Sequence, residues 1–196
     1  MEPIILASSS PRRQEILKML KIPFRVIIPN TDETLTSAID LEQIPELIAR
    51  EKVTAVIHSL PAGQEIPWIL GADTVIFFNG KILGKPENQE QAVEYLTALQ
   101  GNTHTVITSI VLYNGRTKDI SSRICKTNVT FAPMSKEEIQ WYVETGEWHG
   151  AAGGYRIQSL ASCFVQKIDG SYSCVVGLPI FELYDILKEQ GYSILE

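Results

Sequence analysis

The sequence has 196 residues with a formal net charge of −6 at pH 7, and 44% of its residues are hydrophobic and 20% charged. This composition excludes a disordered chain, and the length allows one domain, or two lobes around a cleft, with a substantial core. The acidic balance argues against a surface for a nucleic acid polymer, which needs clustered cations. No apolar run approaches the ~20 residues of a membrane span, and no secretory signal pattern opens the chain, so we expect a cytoplasmic protein with no membrane partner.

The first predicted elements are a buried strand at residues 3–6 and a helix that begins behind a polar turn. Ser10 is in the position of a helix N-cap, and Pro11 is a favourable first helical residue. Arg12 and Arg13 then fall in the first turn, where the helix dipole disfavours cations by roughly 0.3–1 kcal/mol each. We therefore expect an anion near this helix start, although a simple capped helix start remains an alternative.

Strands and helices alternate along the rest of the chain, which favours an α/β or α+β fold with a central sheet. Further strands are predicted at residues 24–28, 68–70, 75–78, 81–83, 105–113, 123–131 and 163–168. Further helices are predicted at about residues 41–60, 88–100, 135–145 and 179–190. Asn79–Gly80 is typical of a tight hairpin turn, and Ser135 with Glu138 forms a capping-box pattern.

Polar residues cluster where the predicted strands end, at residues 8–13, 32–33, 71–74 and 84–86. In open α/β sheets, ligands bind outside the carboxyl ends of the strands, so these stretches could converge. Each stretch alone is weak evidence for a site, because Asp32, Glu33 and Lys85 could simply be solvated. The same holds for Lys52 on the predicted helix at 41–60. Asp73 is the stronger candidate because it directly follows a buried strand, and for it a functional and a structural role are equally plausible.

Several common chemistries lack their sequence patterns. The glycines at residues 150–154 do not have dinucleotide-binding spacing, residues 80–86 do not match the Walker motif, and no nucleophile elbow is present. The cysteines form no C-x-x-C pair, and the histidines have no zinc-ligand spacing. The remaining carboxylates and cations suit metal-assisted attack of water on a phosphoanhydride.

An ordered series of motifs covers nearly the whole chain. They are SSSPRR at residues 8–13, DE at 32–33, GADT at 71–74, GKP at 84–86, TH at 103–104, GGYRIQ at 153–158 and VVGLP at 175–179. In this order they resemble the Maf family of nucleoside triphosphate pyrophosphatases. The resemblance implies one domain over residues 1–196, with a mixed sheet flanked by helices and two lobes around a cleft, similar to the inosine triphosphatase fold.

The resemblance also implies an activity and its residues. The expected reaction is hydrolysis of dTTP and UTP to the monophosphate and pyrophosphate, with Mg²⁺ or Mn²⁺ as cofactor. Asp73 and Glu33 are implied as catalytic and metal-binding acids. The implied phosphate-side residues are Ser10, Arg13, Lys52 and Lys85. The implied specificity residues are Arg12, Thr74 and Gln158, and a homodimer is plausible.

The sequence departs from the family pattern at four positions. Gly150 and Ala151 stand where an Asp-Lys pair is common, Ser159 replaces a usual glycine, and Cys174 replaces a usual asparagine. The lysine of that pair is absent here, and with it one phosphate or loop contact that the family pattern implies. Two alternatives remain open: a nucleotide-binding regulatory protein linked to septum formation, and a housekeeping phosphatase for modified nucleotides.

Overall fold

The computed structural model describes residues 1–31, 40–61 and 68–195. The strands in these ranges are β1 (Ile4–Ala7), β2 (Phe24–Val26), β3 (Trp68–Phe78), β4 (Lys81–Leu83), β5 (Thr103–Asn114), β6 (Asp119–Phe131) and β7 (Val165–Asp169). The helices are α1 (Pro11–Met19), α2 (Ile44–Ser59), α3 (Gln89–Leu99), α4 (Lys136–Glu144), α5 (Tyr172–Val176) and α6 (Ile180–Glu189). Within these ranges, no helix combines the length and apolar character that crossing a bilayer requires.

The strands form one mixed sheet in the order β2-β1-β3-β5-β6-β7, with β4 paired to β3. Strand β1 runs parallel to both β2 and β3, whereas the β3/β4 and β6/β7 pairs are antiparallel. This strand order confirms the predicted mixed α/β class with a central mixed sheet.

The chain divides into two compact units. Unit 1 comprises Met1–Asp73, Thr108–Cys125 and Gly177–Glu196, and unit 2 comprises Thr74–Ile107 and Lys126–Val176. A core in unit 1 joins α2 to the parallel strands; its buried members are Ile5, Ala7, Ala49, Val53, Val56, Ile69 and Val111. The core of unit 2 contains α3 and α4 and is rich in aromatic side chains, among them Phe131, Tyr142, Trp148 and Tyr155.

The local turn and capping predictions are confirmed. Asn79 and Gly80 both have positive φ angles, of 48° and 76°, and connect β3 to β4 as a tight hairpin. At the start of α4, the Glu138 amide donates to Ser135 Oγ at 3.2 Å, and the Ser135 amide donates to Glu138 Oε2 at 2.7 Å. These features depend on a few adjacent residues, which is why the sequence predicts them well.

The structure corrects the predicted strand boundaries around Asp73. The strand at residues 68–70 does not end before Gly71 but continues without a break to Phe78. Gly71 pairs with Ala7 of β1, so sheet pairing maintains the extended backbone despite a low strand propensity. Asp73 therefore lies within a strand. The strand predicted at residues 163–168 begins two residues later, at Val165.

Candidate active site

The turn between β1 and α1 forms the first part of the candidate site. Ser10 is the N-cap of α1 and Pro11 is its first residue, as predicted. The Ser10 side chain makes no capping hydrogen bond, and the first turn of α1 carries no acidic residue. The helix start thus presents backbone N–H groups and two arginines, an arrangement that favours an anionic ligand.

Arg13 is buried, with 8% of its surface exposed. Its Nε donates to the Gly177 carbonyl at 2.8 Å, and its Nη1 donates to Ser8 Oγ at 2.9 Å. Ser8 Oγ also accepts a hydrogen bond from the Ser10 amide at 3.2 Å. These bonds fix the guanidinium group against the β1–α1 turn, whereas the neighbouring Arg12 is half-buried.

A buried ion pair forms the second part of the site. Lys52 Nζ lies 2.7 Å from Asp73 Oδ1, and the two side chains are 9% and 11% exposed. Removing two charges from water costs several kcal/mol per ion, and the direct contact between Nζ and Oδ1 offsets part of that cost. Lys52 lies among the apolar residues of the inner face of α2, namely Ile44, Ile48, Ala49, Val53 and Val56.

Sheet register brings the two parts to one end of neighbouring strands. Strands β1 and β3 are parallel, with Ala7 paired to Gly71. The turn that begins at Ser8 and the carboxylate of Asp73 therefore both lie just beyond this pair, at the carboxyl end of β1. Ligands bind at this edge in open α/β sheets.

Three predicted site residues belong to unit 2. Thr74 is half-buried, and Lys85 and Gln158 are exposed. The loop that carries Lys85 is joined to the glycine-rich loop, since the Gly153 amide donates to the Gly84 carbonyl at 2.8 Å. A Cβ at residue 153 would lie 2.3 Å from Ile76 Cδ1, so the Ile76 side chain would have to move, and the φ of 66° at this position favours glycine.

The predicted acids Asp32 and Glu33 lie outside the described residues. In the ranges that are described, no group of three His, Cys, Asp or Glu side chains could hold a metal ion. Asp73 fits a divalent cation chemically, since Mg²⁺ is commonly held by one or two carboxylates together with substrate phosphates and water.

His104 is a buried group of unit 2. Its Nε2 lies 2.8 Å from the Tyr155 hydroxyl, and its Nδ1 has no hydrogen-bond partner in the described part of the chain. Burial lowers the pKa of His104 to about 4, so the ring is neutral at pH 7. Burial likewise raises the pKa of Tyr142 to about 12 and raises that of Tyr155. This aromatic cluster is a packing feature that remains uncharged.

The departures from the family pattern have defined surroundings. Ala151 is 2% exposed and Gly150 has a φ of 67°. Ser159 Oγ donates to the Glu147 carboxylate, and the buried Cys174 Sγ lies 3.8 Å from the Val106 carbonyl. Each substituted residue is thus accommodated within unit 2.

Sequence reasoning missed the contribution of Ser8 and Gly177. Ser8 is part of the SSSPRR motif, but only the fold shows that its hydroxyl holds Arg13. Gly177 has a φ of 114°, a left-handed conformation that favours glycine. The glycine is visible in the sequence, yet nothing local connects it to a residue 164 positions away.

The protein is a mixed α/β protein. Its buried charged side chains lie near the carboxyl end of β1, where α1 begins. A family model described as "Maf-like protein" matches residues 3–190. The chain belongs to the Maf-like protein family.

Three bacterial relatives named dTTP/UTP pyrophosphatase are similar over nearly the full chain. The protein from Pelotomaculum thermopropionicum is 40% identical over 195 residues, covering 100% of both chains. The protein from Desulforamulus reducens is 43% identical over 195 residues, again covering 100% of both. The protein from Escherichia coli O157:H7 is 41% identical over 188 residues, covering 96% of this chain and 93% of its own.

Two solved structures are more distantly similar. One is a nucleoside-triphosphatase / dITP/XTP pyrophosphatase from Mycobacterium abscessus, with 12% identity, a TM-score of 0.43, and coverage of 68% of this chain and 76% of its own. The other is the Ham1 protein of Staphylococcus aureus, with 18% identity, a TM-score of 0.46, and coverage of 67% and 72%.

Proposed function

We propose that this protein is a nucleoside triphosphate pyrophosphatase that hydrolyses dTTP and UTP to the monophosphate and pyrophosphate. The observation that carries the proposal is the buried Lys52–Asp73 ion pair, with its Nζ–Oδ1 distance of 2.7 Å, at the strand edge where α1 begins. A buried pair is weak evidence for stability, so its presence favours a chemical role. The names of the full-length relatives support this substrate class.

In the proposed reaction, water attacks the α-phosphorus and the bond between the α and β phosphates breaks. Asp73 or Glu33 accepts the proton of the attacking water as general base, a role worth about 10²–10⁴-fold in rate. Glu33 is the proposed second acid.

The departing pyrophosphate gains charge as the bond breaks. We assign its stabilisation to Ser10, Arg13, Lys52 and Lys85. Arg13 suits this role because Gly177 and Ser8 already hold its guanidinium, so little freedom is lost when phosphate oxygens bind.

A divalent cation, Mg²⁺ or Mn²⁺, would be held by Asp73 and Glu33 with the substrate phosphates. When bound, it would neutralise phosphate charge and lower the pKa of a water molecule.

We assign recognition of the substrate's nucleobase to Arg12, Thr74 and Gln158. The Gln158 amide can both donate and accept, which matches the edge of uracil or thymine. In this proposal the chain acts as one pyrophosphatase domain over residues 1–196. We expect a cytoplasmic location. A homodimer remains a prediction. The relatives are named as enzymes, which favours this function over a regulatory protein linked to septum formation.

The decisive experiment is a triphosphate panel in ¹⁸O-labelled water with Mg²⁺ or Mn²⁺. We expect dTTP and UTP to be hydrolysed fastest, giving pyrophosphate and a monophosphate that carries the label. Nucleoside diphosphate with orthophosphate would disprove the cleavage position, and label in pyrophosphate would place the attack on the β-phosphorus. Tight nucleotide binding without turnover would favour the regulatory alternative, and faster turnover of modified bases would favour the housekeeping alternative.

A further inference from the structure

Position 71 requires glycine because the neighbouring helix α2 leaves no room for a side chain. Its φ angle is not positive, so residues with a side chain can adopt the same backbone conformation. A Cβ atom added at this position would nevertheless lie 2.5 Å from the Ala49 carbonyl oxygen and 2.7 Å from Val53 Cγ2. The first of these neighbours is helix backbone, which cannot rotate away. The backbone of α2 therefore approaches β3 more closely than any side chain at position 71 allows.

This close approach is directly connected to the buried ion pair. Residues two apart in a strand point to the same face, so Gly71 and Asp73 both face α2. Lys52 follows Ala49 by three positions and lies on the same side of the helix. The same helix turn that touches Gly71 thus delivers Lys52 Nζ to Asp73 Oδ1, at 2.7 Å.

We propose that Gly71 is a positioning residue for the reaction: it sets the distance between α2 and β3 at which Lys52 holds the Asp73 carboxylate. The proposal rests on the proposed pyrophosphatase function, and it names the residue that arranges the acid and its cation. Ordinary contact begins at 3.4 Å, so a methyl group at position 71 requires a shift of about 0.9 Å from the present 2.5 Å. A misplacement of this order in an active site can lower the rate by about 10²-fold.

The first test is Gly71→Ala, measured by steady-state kinetics with dTTP and by a crystal structure. We expect kcat to fall by about 10²-fold with a smaller change in KM, and the Nζ–Oδ1 distance to exceed that of a hydrogen bond. The matched control is Val56→Ala, since Val56 is buried on the same helix face one turn beyond Lys52. It should lower the melting temperature and leave kcat unchanged.

The second test is rescue by a longer cation. Lys52→Arg should lower kcat in the wild-type background, because the larger guanidinium does not fit the present spacing. In the Gly71→Ala background, the same change should raise kcat, because arginine reaches across the widened gap. A purely structural role for Gly71 predicts no rescue. If Gly71→Ala does not fold, the comparison is made in Gly71→Ala/Val53→Ala, which removes one of the two close contacts.

Three results would overturn the proposal. These are a folded Gly71→Ala variant with wild-type kcat, a lowered kcat with the Lys52–Asp73 distance unchanged, and equal losses from Lys52→Arg in both backgrounds. Failure of the proposed function is distinguishable, since the wild type would then hydrolyse no triphosphate. In that case the crystal structures still decide whether Gly71 sets the spacing.

Discussion

The two units bury different kinds of polar side chain. In the described part of the chain, the buried charged residues are Arg13, Lys52 and Asp73, and all three belong to unit 1. The buried titratable side chains of unit 2 include His104, Tyr142 and Tyr155, which burial keeps neutral at pH 7. The family match includes residues of both units, but the chemistry of their interiors differs.

This difference indicates that the buried charges of unit 1 and the neutral cluster of unit 2 have different roles. Burying charges is costly, and in many proteins apolar residues can replace a buried ion pair without loss of stability, so we expect the buried charges of unit 1 to serve the proposed reaction. The neutral cluster of unit 2 instead places Tyr155 against His104 and Phe131 in edge-to-face contacts that fill the core. Mutations of the buried charged residues of unit 1 should therefore affect catalysis first, and mutations in the buried aromatic cluster of unit 2 should affect stability first.

The largest expected effect is that of Asp73→Asn. Asparagine retains an oxygen that can accept from Lys52 but cannot act as a base, so kcat should fall by about 10³-fold or more. The measurement is single-turnover hydrolysis of dTTP. A kcat near that of the wild type would remove Asp73 from the mechanism.

A double replacement sharpens this prediction. Lys52→Met combined with Asp73→Leu replaces the ion pair by apolar side chains, and we expect a protein at least as stable as the wild type but inactive. Chemical denaturation measures the stability. A large loss of stability would show that the pair serves packing, and unit 1 would then resemble unit 2.

The next effect concerns unit 2 and is a pH dependence of stability. The folded-state pKa of His104 is lowered from 6.5 to about 4, so the unfolded chain binds the proton more readily. The contribution to stability is complete above pH 6.5 and is lost as the pH falls through this range. The loss amounts to about 3 kcal/mol by pH 4, from 1.36 kcal/mol per pKa unit.

Urea denaturation of the wild type and His104→Gln between pH 4 and 7 measures this contribution. The stability difference between the two proteins should shrink by about 3 kcal/mol as the pH falls. His58→Gln is the matched control, since His58 is exposed, and its curves should follow those of the wild type. A constant difference between wild type and His104→Gln would show that the folded and unfolded chains bind the His104 proton equally, and that burial does not lower its pKa.

The third effect distinguishes the two arginines of α1. Arg13→Ala removes a buried guanidinium and should lower kcat/KM by about 10²-fold for every triphosphate, since hydrogen bonds to charged groups contribute about 1.5–3 kcal/mol. Arg12→Ala should mainly change the ranking of bases. A triphosphate panel measures both variants. Equal losses across the panel would contradict this division.

The smallest effect is the loss of a helix cap in unit 2. Ser135→Ala removes the capping box of α4 and should lower stability by about 1 kcal/mol without changing kcat. Thermal denaturation and the dTTP assay measure the two quantities. Ser162→Ala, at an exposed serine, is the matched control and should be neutral within about 0.5 kcal/mol. A changed kcat in Ser135→Ala would couple this helix to catalysis.

The features that the sequence predicts correctly are those decided by neighbouring residues. Ser10 and Pro11 start α1, Asn79 and Gly80 turn the hairpin, and Ser135 caps α4, because each depends on a few adjacent positions. The mixed α/β class follows from the alternation of longer patterns, which survives errors of a few residues at the ends of elements.

The features that the sequence does not predict depend on distant partners. Asp73 lies inside β3 because pairing with β1 extends the strand through Gly71, which local propensity disfavours. The Lys52–Asp73 contact joins a helix to a strand across 21 positions. One signal was available: Lys52 interrupts the apolar inner face of α2, and a lone lysine on such a face needs a buried partner.

The hydrogen bond from Arg13 to the Gly177 carbonyl also bears on biosynthesis. It spans 164 positions, so the arginine is translated well before its acceptor. At about 5–20 residues per second, the nascent chain waits roughly 8–33 s between the two. Until then the Arg13 guanidinium lacks this hydrogen bond, and we expect a ribosome-bound chain to bind nucleotides only weakly. Competence to bind would arrive only after Gly177 has left the ribosome.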